Sequence, residues 1–227
     1  MTADEVVARL KSLGNPEALA GMARYGIATD KALGVSMPHL RRLAREIGRN
    51  HALAGDLWRT GIHDARILAS LIDAPDAVTP QQMEEWVGDF DSWDVCDQCV
   101  MNLFARTTMA ASTAVEWSVR AEEFVKRAGF VIMARLASTN RTADDSVFEP
   151  FLAAIEREST DSRNFVKKGV NWALREIGAR NVRLHRQSLE VAARLLQSAS
   201  ASARWVGRDA LKELEARSAS GRLRHLG

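Results

Sequence analysis

The sequence predicts an all-α chain of stacked helical repeats, about a dozen helices in all, and three observations predict it. First, apolar residues recur at three- and four-residue steps in "EVVARLKSL", "MPHLRRLAREIG", "ARILASLI" and "SLEVAARLLQS", the spacing that lines one face of a helix. Second, strand-like alternation of apolar and polar residues is absent. Third, "FVKRAGFVIMARL" at Phe124, "FVKKGVNWALREI" at Phe165 and "WVGRDALKELEAR" at Trp205 begin 41 and 40 residues apart. That period suits two- and three-helix units of roughly 40–47 residues. One such helix pair cannot bury its own apolar face, so the units must stack. A HEAT-like α-solenoid, an α-α superhelix spanning residues 1–227 as a single domain, is the expected architecture.

Taken in order, the N-terminus "MTADEVVARLKSLG" carries acids early and has no basic segment followed by an apolar one, so no secretory leader is expected. Ser36-Met37-Pro38 before "HLRRLAREIG" and Thr79-Pro80 before "QQMEEW" place a cap residue and a proline at helix entries. The next segment, "DSWDVCDQC" at residues 91–99, packs acids, a tryptophan and a C-x-x-C together. Asp91 or Ser92 is the expected N-cap of a helix through "WDVCDQCVMNLF". On its wheel Cys96, Cys99, Val100 and Leu103 form the apolar stripe, and Asp94, Gln98 and Asn102 lie on the polar side. Trp93 and Asp97 stand on the boundary, one turn apart.

The C-x-x-C is therefore read as two core positions filled by a small hydrophobe. A zinc site wants four ligands, and no second C-x-x-C or Cys/His pair is present. A thioredoxin-like site wants a preceding strand. No metal and no cofactor are expected. Asp97 has two readings: an exposed or capping carboxylate, or an anion that stabilises positive charge developing on a substrate. His39, His51, His63, His185 and His225 are scattered and receive no role.

In the C-terminal half the repeat puts Arg127, Lys168 and Arg208 at equivalent positions, a ladder of cations one repeat apart. Lys168, Trp172 and Arg175 are spaced i, i+4, i+7 and share one helical stripe, so two cations flank an indole. The indole either packs into the core while the cations snorkel outward, or joins them on a surface suited to a phosphate backbone.

The formal charge of +2 conceals an asymmetry. Residues 1–119 hold 11 Lys/Arg against 16 Asp/Glu, and residues 120–227 hold 20 against 13. The basic half is either a solvated surface, the commoner origin of such asymmetry, or the side that meets a polyanionic partner. Hydrophobic residues make up 46% of the chain, but no apolar run approaches the ~18 residues of a membrane helix. Two cysteines build no disulfide framework, so a cytoplasmic protein without membrane contact is expected.

Together "MARYGI", "LGVSMPHLRRL", "SWDVCD", "EFVKRAGFVIMARL" and "NFVKKGVNWALREIG" resemble the AlkD-type DNA-alkylation-repair glycosylases, and the last three appear in the expected order with similar separations. The resemblance implies a HEAT-like solenoid that binds duplex DNA in its concave face and hydrolyses the N-glycosidic bond of cationic N3- or N7-alkylated purines, with the damaged base left stacked. It implies that Asp97, closing W-D-x-x-D, is the catalytic aspartate. Trp93 and Trp172 correspond to the aromatic residues that cradle the lesion, and Arg127 to the arginine near the DNA backbone. Lys168 and Arg175 flank the second tryptophan and are expected phosphate contacts. Ser92-Trp93 stands where members often carry a doubled tryptophan. The implied partner is duplex DNA carrying alkylated purines, bound by a monomer. No lysine adjoins Asp97, so a monofunctional enzyme is expected. The alternatives are a non-catalytic DNA-binding repeat protein for damaged or branched DNA, and a protein-interaction scaffold.

Overall fold

A computed structural model describes residues 1–219, and among them are thirteen α-helices and no strand. The helices fall into two compact units, residues 1–108 and residues 109 onward.

The first unit comprises α1 (Ala3–Ser12), α2 (Pro16–Arg24), α3 (Met37–Ile47), α4 (His51–Arg59), α5 (His63–Ile72), α6 (Pro80–Gly88) and α7 (Trp93–Asn102). Local chemistry starts several of them. Thr2 and Glu5 form a reciprocal capping box on α1, and Thr79 accepts from the Gln82 amide at 3.1 Å to cap α6. Ser36 occupies the N-cap of α3 without a side-chain cap bond, so its Pro38 is the stronger start signal. The unit is built on α5, whose Ile67, Leu68, Ala69 and Ile72 are buried and which packs against α3, α4 and α7. An aromatic cluster fills the α4–α6 contact: Trp58 and Trp86 stack with centroids 4.0 Å apart and rings 5° from parallel.

The second unit comprises α8 (Ala110–Ser118), α9 (Glu123–Thr139), α10 (Glu149–Glu158), α11 (Asn164–Gly178), α12 (Val182–Leu196) and α13 (Ala201–Ala219). The three sequence copies are α9, α11 and α13, and they pack in that order, α9 on α11 and α11 on α13. Phe124 and Phe165, first residues of two copies, meet with ring centroids 5.7 Å apart. Burial around nearly the whole of α9, from Val125 to Ala137, explains its weak amphipathic signal: a helix covered on all sides shows no polar face. Gly129 lets α9 press on α8, since a Cβ there would lie 2.8 Å from the Ala114 carbonyl oxygen and the Ser118 nitrogen.

Candidate functional site

Helix α7 carries the segment the sequence singles out. Ser92 is its N-cap, but the serine side chain makes no cap bond to the helix. Instead the buried Ser92 hydroxyl donates to Asp94 Oδ1 at 2.6 Å, and that same oxygen accepts from the Val95 amide at 2.9 Å. Capping has thus passed from Ser92 to Asp94, which sits inside the first turn where an anion is favoured.

A second contact draws Asp94 into a buried charge cluster. Its Oδ2 lies 2.8 Å from His63 Nε2, and His63 Nδ1 lies 3.7 Å from Asp64 Oδ2. Asp64 in turn accepts from the amides of Leu33 and Val35, at 2.6 and 2.7 Å. Burial by itself would push the His63 imidazole down, but the Asp64 and Asp94 carboxylates outweigh it and raise the pKa to about 9. Burial opposes ionisation of both carboxylates too, and the paired imidazolium more than offsets it, so both lie below the usual range. The starts of α5 and α7 and the loop around Gly34 are stitched together through one imidazolium. Neither His63 nor Asp94 stood out in the sequence. The signal that could have found them is His63-Asp64 at a helix start, where a cation is disfavoured unless acids surround it.

Asp97 lies one turn beyond Trp93 on α7 and is 7% exposed, further inside than the boundary position the wheel suggests. Trp93 is half-buried, and its Nε1 donates to the Tyr25 carbonyl at 2.9 Å, which fixes the indole by its polar edge. Cys96 and Cys99 are fully buried free thiols. Burial pushes the Cys99 thiol far up, helped by Cys96 and Asp73, so the pair is core rather than nucleophile. Among the described residues no group of three or more His, Cys, Asp or Glu side chains is placed to hold a metal ion.

In the second unit the expected ladder is uneven. Arg127 is 6% exposed and donates from Nη1 to the Phe165 carbonyl at 2.7 Å, whereas Lys168 and Arg208 stand exposed. Gly169, one residue past Lys168, packs beside the Arg127 stem, where a Cβ would stand in ordinary contact at 3.7 Å from Arg127 Cγ. The neighbouring Lys126 is buried between Glu158 at 2.8 Å and Asp161 at 3.3 Å, and Lys167 lies 4.8 Å over the Trp205 ring. Trp172 is half-buried. Arg175, also half-buried, turns to α13 and pairs with Glu213 at 2.5 Å and Asp209 at 3.6 Å. Equivalence in the repeat did not predict which cations reach solvent, because the groups that the next helix sets against each one decide it: a backbone carbonyl for Arg127.

A family model described as DNA alkylation repair enzyme matches residues 6–214. The chain belongs to that family. A solved structure agrees over 98% of this chain and 96% of its own, with TM-score 0.82 at 20% identity. It comes from a report of a new family of proteins related to the HEAT-like repeat DNA glycosylases with affinity for branched DNA structures. The HEAT-like repeat fold is therefore shared. Weaker likenesses link the chain to an engineered protein, at TM-score 0.37 and 14% identity over 78% of this chain and 90% of that one, and to a designed armadillo repeat protein, at 0.35 and 17% over 82% and 84%. Among curated proteins nothing matches.

One concavity of the first unit lies apart from these residues. A cleft of about 740 Å³ lined by Lys31, Arg59, Arg66, Asp56, Glu85 and Asp89 among others contains none of them. Its opposite charges balance, which suits water better than a polyanion. No helix among the described residues is long and apolar enough to cross a membrane.

Proposed function

We propose that the protein is a monofunctional DNA glycosylase that hydrolyses the N-glycosidic bond of cationic N3- or N7-alkylated purines in duplex DNA. The observation that carries this reading is Asp97, a nearly buried carboxylate one turn from an indole on α7, in a chain of the DNA alkylation repair enzyme family. An alkylated purine already bears the positive charge that a general acid would otherwise supply, so one carboxylate is enough. As the bond lengthens, charge moves from the base to the deoxyribose. An anion at reduced hydration and the face of Trp93 stabilise that species more than the ground state. In this reading Asp97 is the catalytic residue, and Trp93 and Trp172 lie against the damaged nucleotide. Arg127, Lys168 and Arg175 engage the DNA backbone, Lys168 directly from its exposed position and Arg175 by exchanging Glu213 for a phosphate. The protein acts as a cytoplasmic monomer, in one domain, without metal or cofactor.

The test is release of 7-methylguanine or 3-methyladenine from methylated duplex DNA. Asp97→Asn is expected to lower the single-turnover rate by about 10²–10³-fold, the cost of one electrostatic stabiliser. Equal release by wild type and variant would defeat the enzymatic reading.

The likeness to a protein with affinity for branched DNA favours a second reading, a non-catalytic binder of damaged or branched DNA. It expects tight, salt-sensitive binding to a four-way junction with no base release from any methylated substrate.

A further inference from the structure

The acidic half of the sequence contains one concentrated block of cations. Four of the eleven Lys/Arg of residues 1–119 fall at Arg41, Arg42, Arg45 and Arg49. Leu40 and Leu43, each 1% exposed, seat α3 in the core and thereby fix its roll. Arg41, Arg42 and Arg45 project into solvent. Arg41 and Arg45, one turn apart, line a shallow depression of about 310 Å³ with Ala44, Gly48, Arg49 and Leu71.

Neutralisation is missing where it would be expected. Elsewhere in the unit Arg66 pairs with Asp89 at 3.1 Å, and Arg59 pairs with Asp56. The lone carboxylate of α3, Glu46, is taken by Arg9 at 2.8 Å. Among the described residues no acid pairs with Arg41, Arg42 or Arg45. Arg49 is held near the depression by its bonds to the Leu71 and Asp73 carbonyls, and among the described residues no carboxylate forms an ion pair with it. The helix dipole rewards cations only in the last turn. It accounts for Arg45 but not for Arg41 and Arg42, which lie nearer the start of a helix with no acid in its first turn.

We infer that the Arg41–Arg45 face of α3, with Arg49 just past the end of the helix, is a phosphate-contacting surface for the backbone of duplex DNA, carried by the unit whose overall charge is acidic. This rests on the DNA-binding reading above. Guanidinium groups suit the role because each presents several donors in a fork that matches phosphate oxygens, and each neutralised phosphate releases counterions.

The experiment measures affinity of the full chain for an unmodified 25-base-pair duplex by fluorescence anisotropy between 50 and 200 mM NaCl. R41Q/R45Q is expected to flatten the slope of log affinity against log salt by about 1.8, two contacts at roughly 0.9 each. Its affinity loss across that fourfold range is then about 12-fold smaller than that of wild type. R59Q, which removes an exposed cation already paired with Asp56, should leave the slope unaltered, and R41K/R45K should restore it. An unaltered slope in R41Q/R45Q overturns the inference and leaves the DNA reading standing. Wild type without salt-sensitive binding removes both. A lysine variant as impaired as the glutamine one means that the arginines act in folding. Loss of binding to phosphatidylglycerol vesicles with the DNA slope intact would assign the face to membrane lipid instead; either result refutes the proposal.

Discussion

His63 is charged in the folded protein because two carboxylates flank it, and that makes stability depend on pH in a defined direction. Its pKa rises from 6.5 to about 9 on folding. The stabilisation is therefore complete below pH 6.5 and is lost as pH climbs through 9. Asp64 and Asp94 are lowered from 3.8, so their share is present above that value and disappears as pH falls through their folded pKa values. Denaturant midpoints should be highest between these limits and decline toward pH 9, by up to roughly 3 kcal/mol from the imidazole. His63→Gln should lose the alkaline decline and be destabilised by about 3–5 kcal/mol, since buried Asp64 and half-buried Asp94 lose their shared counter-charge. Identical pH curves for variant and wild type would remove the imidazolium from this role. At Cys96 and Cys99 the expectation is inertness: a thiol reagent should find no reactive group in the native protein and two after unfolding. A thiol that reacts in the native state would restore the redox reading of the C-x-x-C.

Two residues with no functional signature control how the repeat helices meet. Gly129 reads in sequence only as a weak spot within "FVKRAGFVIMARL", a helix interior where glycine costs stability. The structure gives its reason: any Cβ would meet the backbone of α8. Gly129→Ala should cost about 1–3 kcal/mol by overpacking, measured as a lowered Tm, and an unchanged Tm would show that α8 and α9 yield freely. Arg180 is 2% exposed, donates to the Asn140 and Ala143 carbonyls at 2.6 and 2.7 Å, and lies over the Phe148 ring at 4.5 Å. It holds the loop between α9 and α10 through contacts 37 and 40 residues away. Spacing within "REIGARN" offers no sign of this, because carbonyl partners are backbone groups that every residue has.

For the molecule as a whole, the large apolar side chains exposed among the described residues are Met1, Tyr25, Val119 and Val182. A stable interface removes about 1,600 Å² of surface, far more than these supply. Light scattering is expected to return the monomer mass of 25.1 kDa, and a value twice as large would show an interface built from polar residues.

Helical class, the forty-residue repeat and the one-turn spacing of Trp93 and Asp97 were legible from sequence alone, because each is a periodic property of a helix that needs no partner to define it. The family likewise followed from ordered motifs along one dimension. Tertiary structure decided which equivalent cations face water: Arg127 was buried against the Phe165 carbonyl, Arg175 was taken by acids of α13, and Lys168 stayed exposed. It also brought His63 to Asp94 across 31 residues. The physical reason is the same throughout. The cost of burying a charge depends on which groups the neighbouring helix sets against it, and periodicity carries no record of that neighbour.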